Sequence, residues 1–132
     1  MKYGITVKTA CAIIILLLLI FGISLFSQQK LRRDSILLSQ SIEKIEKSIE
    51  SEDWHLAKNT LKQINNDWMS VKGIWAALID HEEIDNIDVT LIRLETLVKT
   101  EDISASLSEA AALKKFINHI PIKEKLSFEN VF

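Results

Sequence analysis

The sequence predicts an all-α fold, with an N-terminal transmembrane helix followed by an antiparallel up-down helical bundle of about four helices. Three observations carry this. Residues 9–27 contain no charged side chain and are dominated by Ile, Leu and Phe. Beyond them, apolar residues recur at spacings of three and four, in blocks separated by short polar breaks. With three Gly and one Pro in 132 residues, turn chemistry is too sparse for an all-β fold, and no stretch alternates like a strand.

The organisation that follows is an anchor with a short flank over 1–27, a bundle over 28–120, and a C-terminal tail over 121–132 that packs on the bundle. The charge-free run suits a bilayer core of about 30 Å, which needs ~20 apolar residues. A cleaved signal peptide is the rival reading, with Ser24-Leu25-Phe26-Ser27 as a weak small-x-small site. The run exceeds the usual apolar region of roughly 7–15 residues, so a retained anchor is preferred. The single cysteine, Cys11, lies inside this run. It is no lipoprotein cysteine, because the apolar run follows it instead of preceding it, and it reads as a small lipid-facing side chain.

Basic residues flank both ends. Lys2 and Lys8 favour a cytoplasmic N-terminus, while Lys30, Arg32 and Arg33 favour the reverse. A short N-terminal tail before a single span more commonly stays inside. The expected location is therefore the cell membrane, single-pass, with the C-terminal domain extracytoplasmic. On whichever side they lie, Lys30, Arg32 and Arg33 are placed to meet anionic headgroups. Those five residues are all the bases before residue 34, where no acid occurs. Residues 34–132 therefore hold 11 bases against 18 acids, a formal −7. A domain that acidic repels nucleic-acid phosphates, which excludes DNA or RNA as the expected partner.

The first helix after the anchor spans about 28–51, with Leu31, Leu38, Ile42, Ile45 and Ile49 on one seam. This seam could pair two copies as a parallel coiled coil, making a homodimer. Packing inside its own bundle is preferred, since the other helices need a partner. Ser51-Glu52-Asp53 breaks the pattern, with Asp53 or Ser51 as N-cap. Trp54, Ala57, Leu61, Ile64, Trp68, Val71, Trp75 and Leu78 then form an uninterrupted seam over about 53–79. It keeps phase through Asn65-Asn66-Asp67 and Gly73, and its three tryptophans sit at core positions. After Leu78 the phase slips, which predicts a turn within 79–83. Ile84, Ile87, Leu91, Leu94 and Val98 carry a third helix starting near Asp80, where Asp80 and Glu83 have capping-box spacing. Thr100-Glu101-Asp102 is another break. A fourth helix, about 103–119, bears Ile103, Leu107, Ala110, Leu113, Ile117 and Ile120, and Pro121 is expected to stop it. Leu126, Phe128, Val131 and Phe132 are apolar enough to return to the bundle. Short connections make consecutive helices antiparallel.

There is no Gly-rich phosphate loop, Cys-x-x-Cys, His-Glu-x-x-His or nucleophile elbow. No cofactor and no catalytic residue are predicted, and the chain reads as a non-enzyme. The one constellation is Asp80-His81-Glu82-Glu83-Ile84-Asp85-Asn86-Ile87-Asp88. At about 100° per residue, His81, Asp85 and Asp88 fall within roughly 60° on a helix face. An imidazole and two carboxylates there could ligate a divalent cation, with Glu109 and His119 of the fourth helix as possible neighbours. The plainer readings are a capped helix start with a solvated acidic face, or a partner-docking shoulder made of His81, Glu82, Asp85 and Asp88.

A family resemblance adds to this. A single span leading into Asp53-Trp54 and a Trp-rich helix is followed by the 80–88 stretch ahead of Leu91-x-x-Leu94. Ile120-Pro121 then precedes Glu124 and Leu126-Ser127-x-x-Asn130-Val131. Together these resemble the bacterial domain of unknown function 4363 family, small single-anchored helical proteins common in spore-forming Gram-positive bacteria. The resemblance covers essentially the whole chain. It implies an exported, membrane-anchored domain and supplies no catalytic or binding residues. The function expected is a non-catalytic interaction or scaffolding module docking an unknown membrane or envelope protein. The alternative is a structural or sensory cation-binding domain.

Overall fold

The computed structural model describes the backbone of residues 2–131, and the side chains of residue 4 and residues 6–122. Four helices account for it: α1 (Lys2–Glu50), α2 (Trp54–Leu78), α3 (His81–Lys99) and α4 (Ile103–Val131). Consecutive helices run antiparallel. α1 packs on α2 and α4, and α3 packs on the same two, so the four close a ring around one core.

α1 is a single helix of 49 residues, about 73 Å long. Among the described residues it is the one helix long and apolar enough to cross a membrane. Ser27-Gln28-Gln29-Lys30 contains neither Gly nor Pro, so nothing interrupts it between the apolar run and the bundle. The apolar run is exposed, whereas Leu31, Leu38, Ile42, Ile45 and Ile49 are buried. The 31–49 seam is thus occupied within its own bundle. In α2, Ala57, Leu61, Ile64, Trp68 and Trp75 are buried, and Trp54, Val71 and Leu78 pack around them. All five seam residues of α3 are buried, as are Ala110, Leu113, Ile117 and Ile120 of α4.

The two turns at the far end of the bundle share one design. Glu52 and Glu101 adopt left-handed backbone angles, with φ of 57° and 58°. In each, the glutamate N–H donates three residues back, to Ile49 or Val98. The following aspartate N–H donates five back, to Ser48 or Leu97. These paired bonds satisfy the last carbonyls of α1 and α3. Each aspartate then caps the next helix, Asp53 accepting from Leu56 N–H at 3.1 Å and Asp102 from Ala105 N–H at 3.0 Å. At the near end, α2 and α3 are joined by Ile79 and Asp80 alone, which accounts for the phase slip. Asp80 is the N-cap, and its own side chain makes no capping bond.

One expectation is overturned. Pro121 does not stop α4, which continues through it to Val131. The proline cannot donate to the carbonyl of Ile117, one turn earlier. The Ser35 hydroxyl of α1 donates to that carbonyl instead, at 3.0 Å in a buried setting. The freed acceptor is satisfied from a neighbouring helix, so the helix need not end. The side-chain packing of Leu126, Phe128, Val131 and Phe132 lies outside the described residues.

Candidate functional site

The polar chemistry of the core concentrates where the α1 seam has a gap. Between Leu31 and Leu38 the seam position is filled by Asp34 and Ser35, each 4 % exposed. Asp34 Oδ2 accepts from the Trp75 indole at 3.0 Å, and Oδ1 accepts from Lys30 at 2.8 Å. Ser35 holds the Ile117 carbonyl and lies 3.4 Å from Asn118 Oδ1, which Ser39 also reaches. This polar layer ties α1 to α2 on one side and to α4 on the other.

A second arrangement of the same kind joins α2 to α3. Trp68 donates to Asp88 Oδ1 at 2.8 Å, and Lys72 donates to Asp88 Oδ2 at 2.6 Å. In both, one carboxylate oxygen takes an indole N–H and the other an ammonium. The two tryptophans lie seven residues apart on α2 and meet edge to face, with centroids 5.4 Å apart and planes at 89°. Their positions as core residues agree with the seam. The acceptors that their buried N–H groups require are Asp34 and Asp88.

This geometry separates the residues of the 80–88 stretch. His81, Glu82 and Asp85 are exposed, while Asp88 is half-buried against α2. With both its oxygens engaged by Trp68 and Lys72, Asp88 serves as an interhelical tie and not as part of an outward shoulder. Glu109 is half-buried and His119 exposed on α4. Among the described residues, no group of three His, Cys, Asp or Glu side chains is gathered to hold a metal ion.

Elsewhere, Lys114 of α4 donates to Glu46 of α1 at 2.7 Å. That hydrogen bond raises the lysine pKa above its ordinary value. Desolvation by burial opposes it, and the charges of Glu46 and then Glu43 add smaller upward contributions. Two buried hydroxyls, Thr60 and Ser106, have no hydrogen-bond partner among the described residues.

Asp34 and Ser35 are the residues that the periodicity did not single out. Their signal was the seven-residue step from Leu31 to Leu38, a seam with its middle position polar. Buried tryptophans seven apart also require acceptors, and acids flanking the seams were the available ones.

These features define a class: a four-helix up-down bundle continuous with a long apolar helix, its helices joined by two tryptophan–aspartate pairs. The chain belongs to the family described as Domain of unknown function (DUF4363), whose model matches residues 25–131. The matched region thus covers the bundle and only the last residues of the apolar run. No match to the chain is found among curated proteins or among solved structures.

Proposed function

We propose that the protein is a single-pass, membrane-anchored and non-catalytic interaction module, with its bundle outside the cytoplasm, docking a basic region of a membrane or envelope protein. The observation that carries this is the continuity of α1, whose exposed apolar run enters the bundle without a break. A bundle joined in this way stands at the bilayer face. Its α2–α3 turn is at the same end, since Trp75 pairs with Asp34 only a few residues past the apolar run. The exposed His81, Glu82 and Asp85 at the start of α3 then lie near the membrane, within reach of a partner's juxtamembrane Lys and Arg residues. Asp34, Ser35 and Asp88 each have an interhelical structural partner, which supports a scaffold in preference to a reaction centre.

A photo-crosslinking residue replacing Glu82 in intact cells tests the docking. The expected result is an adduct with a discrete membrane protein, weakened by Asp85→Asn combined with His81→Ala. A uniform absence of adducts, with the protein folded and inserted, refutes docking through this shoulder. A reporter fused after Phe132 that is active only inside the cell refutes the proposed topology.

A further inference from the structure

We propose that the groove between α1 and α4 at the near end of the bundle seats one anionic phospholipid of the surrounding bilayer, a proposal resting on the anchoring proposed above. The lower part of the groove is lined by Leu25, Gln28, Gln29, Arg32 and Pro121. Arg32 and Pro121 also line its upper part, together with Ile36 and Ile122. The lower part alone encloses about 260 Å³, several times the ~30 Å³ share of a water molecule.

Residues 25, 29, 32 and 36 follow one another by four, three and four, with Gln28 beside Gln29, so they form a single stripe of α1 facing α4. Along it the chemistry changes in the order a lipid requires. Leu25 belongs to the charge-free run, Gln28 and Gln29 supply amide donors one turn on, and Arg32 stands one turn beyond. The rise from Leu25 to Arg32 is about 10 Å, enough to pass through the roughly 5–8 Å interfacial layer on each side of a bilayer core. α4 contributes Pro121, which has an apolar ring and no N–H to compete for the ligand.

The three bases at this boundary are not equivalent. Lys30 is held by Asp34 at 2.8 Å. Arg33 is exposed but lines neither part of the groove. Arg32 lines both parts, is exposed, and pairs with no acid among the described residues. A planar guanidinium that pairs with no acid among the described residues matches a phosphodiester through two parallel hydrogen bonds, with glutamine amides beside it. Leu25 and the exposed Phe26 lie on the side where the acyl chains continue into the hydrocarbon. The occupant is a lipid because the same helix that carries Arg32 fixes the site at the bilayer surface.

The test uses the full chain, reconstituted with an equimolar mixture of phosphatidylcholine and phosphatidylglycerol, with lipid retained after gentle detergent extraction read by native mass spectrometry. The wild type and Arg33→Gln are expected to retain phosphatidylglycerol preferentially, and Arg32→Gln to lose that preference by about tenfold. Equal losses in the two variants indicate diffuse surface charge and overturn the site. So does a wild type without preference. Displacement of phosphatidylglycerol by inorganic phosphate would make this a free-phosphate site and overturn the lipid assignment; retention supports it. Flotation with pure phosphatidylcholine vesicles separates the two levels. A chain that floats without lipid preference overturns only the groove, and one that does not float overturns the anchoring itself.

Discussion

Replacing Ser35 by alanine should destabilise the bundle through a carbonyl on a different helix. The Ser35 hydroxyl donates at 3.0 Å to the carbonyl of Ile117, which Pro121 cannot serve. Both residues are buried, Ser35 at 4 % and Ile117 at 1 % exposure, so water cannot easily replace the lost donor. An unsatisfied buried acceptor costs about 1–3 kcal/mol. The decisive background is Pro121→Ala, which restores an N–H able to bond Ile117 within α4. That change alone should stabilise, since proline in a helix interior is about 3 kcal/mol worse than alanine before compensation. In this background Ser35→Ala should cost about 0.5 kcal/mol or less, giving a coupling of roughly 1–2 kcal/mol in a double-mutant cycle. Denaturant unfolding of the full chain in micelles, followed by the near-ultraviolet signal of the buried tryptophans, measures all four corners. If Ser35→Ala costs the same in both backgrounds to within about 0.3–0.5 kcal/mol, the serine is not compensating for the proline.

Three further outcomes can be measured with the same preparation. Trp75→Phe removes the indole N–H from Asp34 and leaves that buried carboxylate with Lys30 alone, so unfolding should become easier by about 1–3 kcal/mol; an unchanged midpoint would show the bond to be dispensable. Thr60→Val replaces a buried, unpartnered hydroxyl by a methyl of similar shape and should stabilise by about 1 kcal/mol, which a lowered midpoint would contradict. The Lys114–Glu46 pair should stabilise fully below the ordinary lysine value of about 10.4 and lose its contribution as pH rises through the raised folded value. The stability gap between wild type and Glu46→Gln should therefore narrow on the alkaline side as the lysine loses its proton, and a gap that stays constant there removes this linkage.

Most of the core was legible because burial on a helix obeys a period that residue types reveal directly. The α3 seam from Ile84 to Val98 is buried at every expected position. The two-residue turn at 79–80 was legible as a phase slip. Pro121 was misread because the rule against proline is local, whereas its compensation by Ser35 comes from 86 residues earlier in the chain. Asp88 was placed beside His81 and Asp85 by angular arithmetic along one helix. Which of the three turns inward depends on the register of α3 against Trp68 and Lys72, which no single-helix argument contains. The left-handed glutamates at 52 and 101 also escaped notice, because that conformation is expected of Gly or Asn, and here a pair of backbone bonds imposes it.

The unbroken α1 has a mechanical consequence. A hinge between membrane and domain would let the two reorient independently, but an unbroken helix inserted as proposed makes them one lever with its fulcrum in the bilayer. The stretch from residue 28 to residue 50 is about 34 Å long. With the span inserted as proposed, a tilt of about 20° swings the Glu52 and Glu101 turns sideways by roughly 12 Å, while the α2–α3 turn near the fulcrum moves far less. Changes in membrane thickness would therefore be amplified at the far turns and scarcely felt by the acids of α3. The docking site proposed near the pivot would then keep its position as the membrane around it varies.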